Sequence, residues 1–198
     1  MTLDRFRPLA DRALAPFVAL AVRAGLTPDA VSVVAFALAV GAGAAFAVGG
    51  PWYLLGAALV FANGWLDLLD GALARELETD SPAGDLVDHV LDRYADLVVI
   101  AGLAAGIGAY ALGFAAVTGV LLTSYLGTQA QAVGAGRDYG GLLGRADRLA
   151  LVGIVAVLAP FTGRLGPLAA VGWLLAVFAV AGHLTALQRF VAAWRDLR

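Results

Sequence analysis

Charged residues are spaced along the chain so that they leave four long apolar stretches. No Asp, Glu, Lys or Arg occurs in residues 31–66, 97–136, 149–163 or 165–188. A helix crosses the roughly 30 Å of membrane hydrocarbon with about 20 residues. Each of the first two stretches is therefore long enough for two membrane-spanning helices joined by a turn.

Glycine and proline residues mark where these stretches divide. Residues 49–51 interrupt the first stretch, residues 110–113 lie near the middle of the second, and residues 160–167 separate the last two. Such clusters are typical of turns. The pattern therefore predicts six membrane-spanning helices, near residues 29–48, 52–77, 83–108, 113–135, 144–160 and 167–194.

The start of the chain has a different pattern. Between Leu3 and Gly25, charged side chains interrupt apolar ones that recur at roughly helical spacing. This pattern is typical of an amphipathic helix that lies in the membrane interface. We therefore expect an all-α polytopic membrane protein with one domain over residues 1–198, comprising an interfacial helix in residues 1–25 and a six-helix bundle in residues 29–194.

The composition supports a membrane protein and excludes several kinds of chemistry. Hydrophobic residues make up 61% of the 198 residues and charged residues 14%, against about 25% charged residues in soluble domains. The chain has no cysteine, and all 13 of its basic residues are arginine. It therefore lacks a thiolate nucleophile and the lysine that a P-loop or a Schiff base needs. Because its net charge is −2, we do not expect it to bind nucleic acid.

The arginines are unevenly distributed about the predicted spans. Six spans put both termini and the segments 67–96 and 137–148 on one side, and every arginine except Arg164 belongs to that side. Positive residues are concentrated on the cytoplasmic side of membrane proteins. We therefore expect a multi-pass protein of the cell membrane whose termini and acidic region face the cytoplasm.

Acidic residues are concentrated where the second predicted span ends and the third begins. Nine of the 15 Asp and Glu residues lie between Asp67 and Asp96. An ionisable side chain within the membrane costs at least about 2.5–3.5 kcal/mol, so several acids on facing helices require compensation. The two arginines of this region are too few for that, whereas one or two divalent cations suffice. Ligand sets made only of oxygen favour Mg²⁺, Mn²⁺ or Ca²⁺.

The spacing of these acids puts carboxylates on two helix faces. Asp67 and Asp70 are three residues apart on one predicted helix, and Asp88 and Asp92 are four apart on the next. Side chains at these spacings share a helix face. A hairpin that turns near residues 78–82 therefore brings the two pairs together. The same faces carry small residues that leave room for a ligand: Gly71, Ala74 and Gly84.

The acids belong to a longer pattern. It reads Asp67-x2-Asp70-Gly71-x2-Ala74-Arg75-x8-Gly84-x3-Asp88-x3-Asp92. At all eight positions it resembles the signature of the CDP-alcohol phosphotransferases, and the predicted helices are similar to that family's over essentially the whole chain. The resemblance implies a homodimeric enzyme of phospholipid biosynthesis that transfers a phosphatidyl-type group from a CDP-linked lipid to a small polar alcohol, releasing CMP.

Residue roles follow from the resemblance position by position. It implies that Asp67, Asp70 and Asp88 hold a two-metal site for Mg²⁺ or Mn²⁺, with Asp92 as general base and further metal ligand. The metals would neutralise the pyrophosphate of the lipid substrate, and Asp92 would deprotonate the attacking alcohol. The residues expected around the CDP-linked lipid are Gly71, Ala74, Arg75, Ser81, Gly84, Asp29 and Ser32. The last two are also typical of an ordinary helix start.

A second segment bears on the acceptor alcohol. Residues 140–148 resemble the segment before the fifth span in the branch of the family that makes phosphatidylinositol phosphate and its archaeal counterpart, where arginines hold the acceptor's phosphate. A planar guanidinium suits a phosphate group. The resemblance implies acceptor contacts from Arg137, Arg145 and Arg148, but arginines at this end of a span also follow the positive-inside rule.

The acceptor stays open at this point. Residues 124–131 are neutral where that branch usually carries further basic residues and an acid. Inositol phosphate is the first candidate, and glycerol phosphate and serine are alternatives with the same chemistry; the lipid is based on diacylglycerol or archaeol. A divalent cation carrier or channel is the alternative from another class of protein, but it has no obvious use for Arg75 or the small residues.

Overall fold

The secondary structure consists almost entirely of helices. The computed structural model describes residues 7–79, 81–136 and 141–198. The helices of these residues are α1 (Arg7–Arg23), α2 (Pro28–Val48), α3 (Trp52–Glu76), α4 (Pro82–Gly106), α5 (Tyr110–Ala132), α6 (Arg145–Leu158) and α7 (Ala170–Asp196). The prediction of an all-helical fold is confirmed.

Local sequence explains where two of the helices begin. The Thr27 side chain accepts a hydrogen bond from the Ala30 amide, and the Ser81 side chain accepts one from the Gly84 amide. In both places a proline follows as the first helical residue, where its missing N–H costs nothing. Such signals can be read from the sequence, and the observed bounds of the six helices predicted as spans, α2 to α7, agree with the predicted ones to within three residues.

The segment between α6 and α7 departs from the expectation. A 3₁₀ turn (Ala159–Phe161) leads to two short antiparallel strands, β1 (Arg164–Leu165) and β2 (Leu168–Ala169). Gly166 has φ = 69° in the turn between them, a conformation that glycine adopts without strain. The last helix therefore begins at Ala170, three residues after the start predicted near residue 167, because Pro167 belongs to a hairpin turn.

Four helices of the described residues are long and apolar enough to cross a membrane, namely α2, α3, α5 and α7. The other two predicted spans, α4 and α6, do not meet that criterion. The first 15 of the 25 residues of α4 carry its four acids, Asp85, Asp88, Asp92 and Asp96. α6 has 14 residues, which corresponds to about 21 Å of helix.

Glycines allow the helices to pack backbone against backbone. A Cβ atom on Gly102 of α4 would lie 2.2 Å from the carbonyl oxygen of Gly43 on α2. In the same way, a Cβ on Gly182 of α7 would lie 2.6 Å from the carbonyl carbon of Gly119 on α5. Close contacts of this kind are typical of helices packed within membranes.

This packing determines which parts of the chain meet. α2 lies against both α3 and α4, and α3 in turn contacts α6. α3 and α4 are consecutive, so the end of α3 lies near the start of α4. The four aspartates of the sequence pattern consequently lie among α2, α3, α4 and the first turn of α6.

Candidate active site

Three carboxylates meet where α3 ends and α4 begins. One oxygen atom each from Asp67, Asp70 and Asp88 lies within 4.8 Å of the others. Asp70 is buried, and the other two are partly buried. The helical spacing in the sequence predicted that these carboxylates face one another, and the geometry agrees.

The donor set of this group fits a hard divalent cation. Every donor is a carboxylate oxygen, and Mg²⁺ and Mn²⁺ prefer such ligands. The Ser32 hydroxyl donates a 2.7 Å hydrogen bond to Oδ2 of Asp70. A hydrogen bond of this kind holds a metal-ligating carboxylate in one orientation. The residues therefore suit the metal that the resemblance implies.

Asp92 lies one helical turn after Asp88 and has a different environment. It is not one of the three residues whose oxygens meet, and its side chain is only 14% exposed. Its Oδ1 lies 2.7 Å from Nη2 of Arg145, and its Oδ2 lies 3.5 Å from Nη2 of Arg93. Arginines on two sides therefore compensate the charge of this carboxylate.

Arg145 also pairs with Asp67, so it joins two of the four aspartates of the sequence pattern. Its side chain is 16% exposed, and it comes from the first turn of α6. All four aspartates and Arg145 line one narrow cavity together with Ser32 and Asn63. Sequence reasoning connected Arg145 with the acceptor and did not foresee its contact with the carboxylates.

A larger cavity of about 320 Å³ opens beside this group. Its lining includes six of the seven residues expected around the CDP-linked lipid: Gly71, Ala74, Ser81, Gly84, Asp29 and Ser32. The seventh, Arg75, lies close by. Its Nη1 atom would be 3.6 Å from a Cβ atom placed on Gly71. Asp29 approaches the start of α4, since a Cβ on Gly84 would be 3.6 Å from its Oδ1 atom. The structure thus brings all seven residues into one region.

A second cavity, of about 520 Å³, lies on the other side of α4. Its lining is largely apolar and aromatic, but it includes the two arginines Arg93 and Arg189. Arg93 donates to the Ser124 hydroxyl of α5, and Nη1 of Arg189 donates to the Thr123 carbonyl at 2.7 Å. Sequence reasoning missed both, although Arg93 follows Asp92 directly and Arg189 ends a long charge-free stretch.

The three arginines expected at the acceptor have different places. Arg137 lies outside the described residues. Arg145 contacts the carboxylates, and Arg148 is only 7% exposed. The Arg148 guanidinium donates a 2.9 Å hydrogen bond to Asp96, so the structure gives it an internal partner where sequence reasoning expected the acceptor.

Comparison with known proteins agrees with the sequence pattern. Residues 25–179 match the family model of the CDP-alcohol phosphatidyltransferases. The chain belongs to this family. It is therefore a membrane-bound transferase that uses a CDP-linked substrate, and the predictions of family and enzyme class are confirmed.

Several relatives are similar over most of their length. The archaetidylinositol phosphate synthase of Methanothermobacter thermautotrophicus is 32% identical over 99% of this chain and 96% of its own. The phosphatidylinositol phosphate synthase of Mycolicibacterium smegmatis is 38% identical, over 88% of this chain and 80% of its own. A crystal structure of the Mycobacterium tuberculosis phosphatidylinositol phosphate synthase with CDP-DAG bound has a TM-score of 0.79 and 27% identity, covering 92% of this chain and 94% of that one.

Proposed function

We propose that this protein transfers the phosphatidyl-type group of a CDP-linked lipid to inositol phosphate and releases CMP. The observation that carries the proposal is the position of the three-carboxylate group: it adjoins a cavity lined by the nucleotide residues of the pattern, and a cavity with two arginines lies across α4. The names of the similar synthases support inositol phosphate as the acceptor.

Asp67, Asp70 and Asp88 would hold the metal, with Asp92 as a further ligand. A crystal structure of the Mycobacterium tuberculosis phosphatidylinositol phosphate synthase contains manganese and citrate. It has a TM-score of 0.79 and 26% identity, covering 91% of this chain and 88% of that one. When bound, Mg²⁺ or Mn²⁺ supplies positive charge that offsets the charge of the pyrophosphate. Ser32 keeps Asp70 oriented for this task through its 2.7 Å hydrogen bond.

The residues of the 320 Å³ cavity would bind the CDP portion. Gly71, Ala74 and Gly84 have little or no side chain, which allows a nucleotide to approach the helix backbones. Arg75 lies beside Gly71, where its guanidinium can reach a phosphate. Asp29, Ser32 and Ser81 offer hydrogen-bond partners for the cytidine and its ribose.

Asp92 would act as the general base. It accepts the proton of the acceptor hydroxyl, and the oxygen then attacks the phosphorus that carries the lipid. The bond from that phosphorus to the bridging oxygen breaks, and CMP leaves with the electron pair. Because the acceptor oxygen attacks directly, no covalent enzyme intermediate forms.

The acceptor's own phosphate requires cationic partners. We propose Arg145, which contacts Asp67 and Asp92, together with Arg93 and Arg189 in the 520 Å³ cavity. Arg137, which belongs to the segment before α6, stays a prediction from the resemblance. These arginines can take the place of the basic residues that are absent from 124–131.

We also propose that residues 1–198 form one membrane domain, in which α4 and α6 complete six spans and α1 lies in the interface. The distribution of arginine supports a cytoplasmic active site. Because the chain lacks cysteine, single-cysteine variants can test this. In intact cells, an impermeant reagent should label Thr162→Cys but not Arg198→Cys, and the reverse result contradicts the orientation.

Native mass spectrometry in mild detergent tests the homodimer that the family implies, and a monomeric mass contradicts it.

The decisive experiment is an assay of CMP release by the purified protein. The mixtures contain CDP-diacylglycerol or CDP-archaeol, Mg²⁺ or Mn²⁺, and inositol phosphate, glycerol phosphate, inositol or serine. We expect inositol phosphate to give the highest kcat/KM. Preference for another alcohol would contradict inositol phosphate as the acceptor, but it would not contradict membership of the family. Divalent cation flux through liposomes containing the protein, without any release of CMP, would favour a carrier.

A further inference from the structure

Asp96 is a buried carboxylate that the sequence pattern does not include. It lies on α4, one helical turn beyond Asp92, and is only 6% exposed. Its Oδ2 atom accepts a 2.9 Å hydrogen bond from Nη2 of Arg148 and lies 3.6 Å from Nη1 of Arg93. A single carboxylate oxygen therefore faces two guanidinium groups. Burial of these charges is tolerable because they compensate one another.

Both arginines connect Asp96 with the active site. Arg93 reaches Asp92 with its other terminal nitrogen and donates to Ser124 on α5. Arg148 lies three residues after Arg145 on α6, so their side chains share one face of the first turn. Arg145 pairs with Asp92 from that turn. Two ion pairs thus join α6 to α4. Arg145 pairs with Asp92, and Arg148 pairs with Asp96.

We propose that Asp96 is a positioning residue for the acceptor. It orients Arg93 directly and, by pairing with Arg148, it fixes the turn of α6 from which Arg145 extends. Arg148 acts through Asp96 and does not touch the acceptor itself. This inference rests on the proposed function, because it concerns the arginines that bind the acceptor's phosphate.

Two variants test the proposal. Asp96→Asn removes the charge that both arginines face, and Asp147→Asn is the matched control. Asp147 lies on the same turn of α6, where its carboxylate accepts a hydrogen bond from the Gly144 amide, and an Asn side-chain oxygen can also accept such a bond. We measure KM for inositol phosphate and for CDP-diacylglycerol, and the dissociation constant of inositol phosphate by calorimetry. For Asp96→Asn we expect a loss of acceptor affinity of about tenfold or more, as for a displaced charge-assisted contact. The KM of the lipid substrate and the control variant should stay within about twofold of the parent.

A double variant separates action through Asp96 from direct contact by Arg148. If Arg148 acts through Asp96, Asp96→Asn combined with Arg148→Gln has an acceptor KM no higher than the worse single variant, because the pair is already broken. If Arg148 binds the acceptor, the two effects multiply, and the proposal is overturned. The double variant leaves neither member of this pair charged. If Asp96→Asn does not fold, the acceptor KM of the double variant is compared with that of Arg148→Gln alone.

Two further results would overturn the proposal. One is an acceptor KM that stays within twofold of the parent in both Asp96 variants. The other is an equal deterioration of both KM values together with the melting temperature, which indicates a purely structural role. The proposed function is judged separately, on the parent protein alone, by whether it releases CMP with inositol phosphate.

Discussion

Asp67, Asp70 and Asp88 lie on facing helices at distances that one divalent ion can bridge. Aspartates without such an ion would repel one another in a partly buried place. Arg145 offsets part of that charge through its contacts with Asp67 and Asp92. The carboxylates of this site are therefore expected to differ in function: Asp67, Asp70 and Asp88 bind the metal, and Asp92, a further ligand, also accepts a proton.

Neutralising a metal ligand should abolish activity. We expect Asp67→Asn and Asp88→Asn to remain folded in detergent and to lose CMP release, since an amide is a weaker ligand for a hard cation. The control is Asp196→Asn, at the exposed end of α7, which should match the parent. Full activity of the parent after exhaustive chelation would contradict the metal requirement.

Neutralising Asp92 should separate chemistry from substrate binding. General base catalysis contributes about 10²–10⁴-fold to a rate, so Asp92→Asn should lower kcat by that amount. Binding of CDP-diacylglycerol, measured by calorimetry, should weaken far less because other residues line that cavity. A kcat within about tenfold of the parent would show that another group takes the proton.

At the scale of helices, the bundle depends on glycine at positions where two backbones touch. Gly43 and Gly102 join α2 to α4, and these helices carry Ser32 and Asp88 at their other ends. A side chain at this crossing would push the helices apart. The crossing therefore contributes to the geometry of the site as well as to stability.

The Gly102→Ala variant should lose stability. Its new Cβ would lie 2.2 Å from the Gly43 carbonyl oxygen, and overpacking of this kind typically costs about 1–3 kcal/mol. The matched control is Gly64→Ala on α3, where a Cβ meets only an ordinary 3.6 Å contact with Leu149. Melting in detergent measures both, and equal melting temperatures would contradict the close crossing.

The helices and the carboxylate group could be predicted from sequence because their signals are local. Charge-free stretches, caps and turns determine the helix bounds, and helical spacing aligns Asp67 with Asp70 and Asp88 with Asp92. The partners of α6 could not be predicted in this way. Asp96 and Arg148 are 52 residues apart, and no periodicity states which helices become neighbours. For the same reason the pairing of Arg148 with Asp96 could not be foreseen.

At the scale of the whole molecule, α4 divides two cavities. The cavity proposed for the nucleotide is lined by Ser81, Gly84, Asp85 and Asp88, and the cavity proposed for the acceptor is lined by His89, Val90, Arg93 and Tyr94. At 3.6 residues per turn these two sets lie on roughly opposite faces of the helix. Asp92 lines the narrow carboxylate cavity, and Arg93 of the proposed acceptor cavity lies 3.5 Å from its Oδ2 atom. We therefore expect lipid and acceptor to be bound at the same time.

This division has a stereochemical consequence. If the acceptor and the CDP portion occupy separate cavities, we expect the alcohol to attack the lipid-bearing phosphorus on the side opposite to the departing CMP, which is an in-line displacement. One such displacement inverts the configuration of the phosphorus that is transferred, whereas two successive displacements through an enzyme-bound lipid would retain it. A CDP-linked lipid whose reacting phosphorus is made chiral with sulfur and oxygen isotopes, analysed by ³¹P NMR, should yield inverted product. Retained configuration would mean that the acceptor never meets the intact nucleotide lipid.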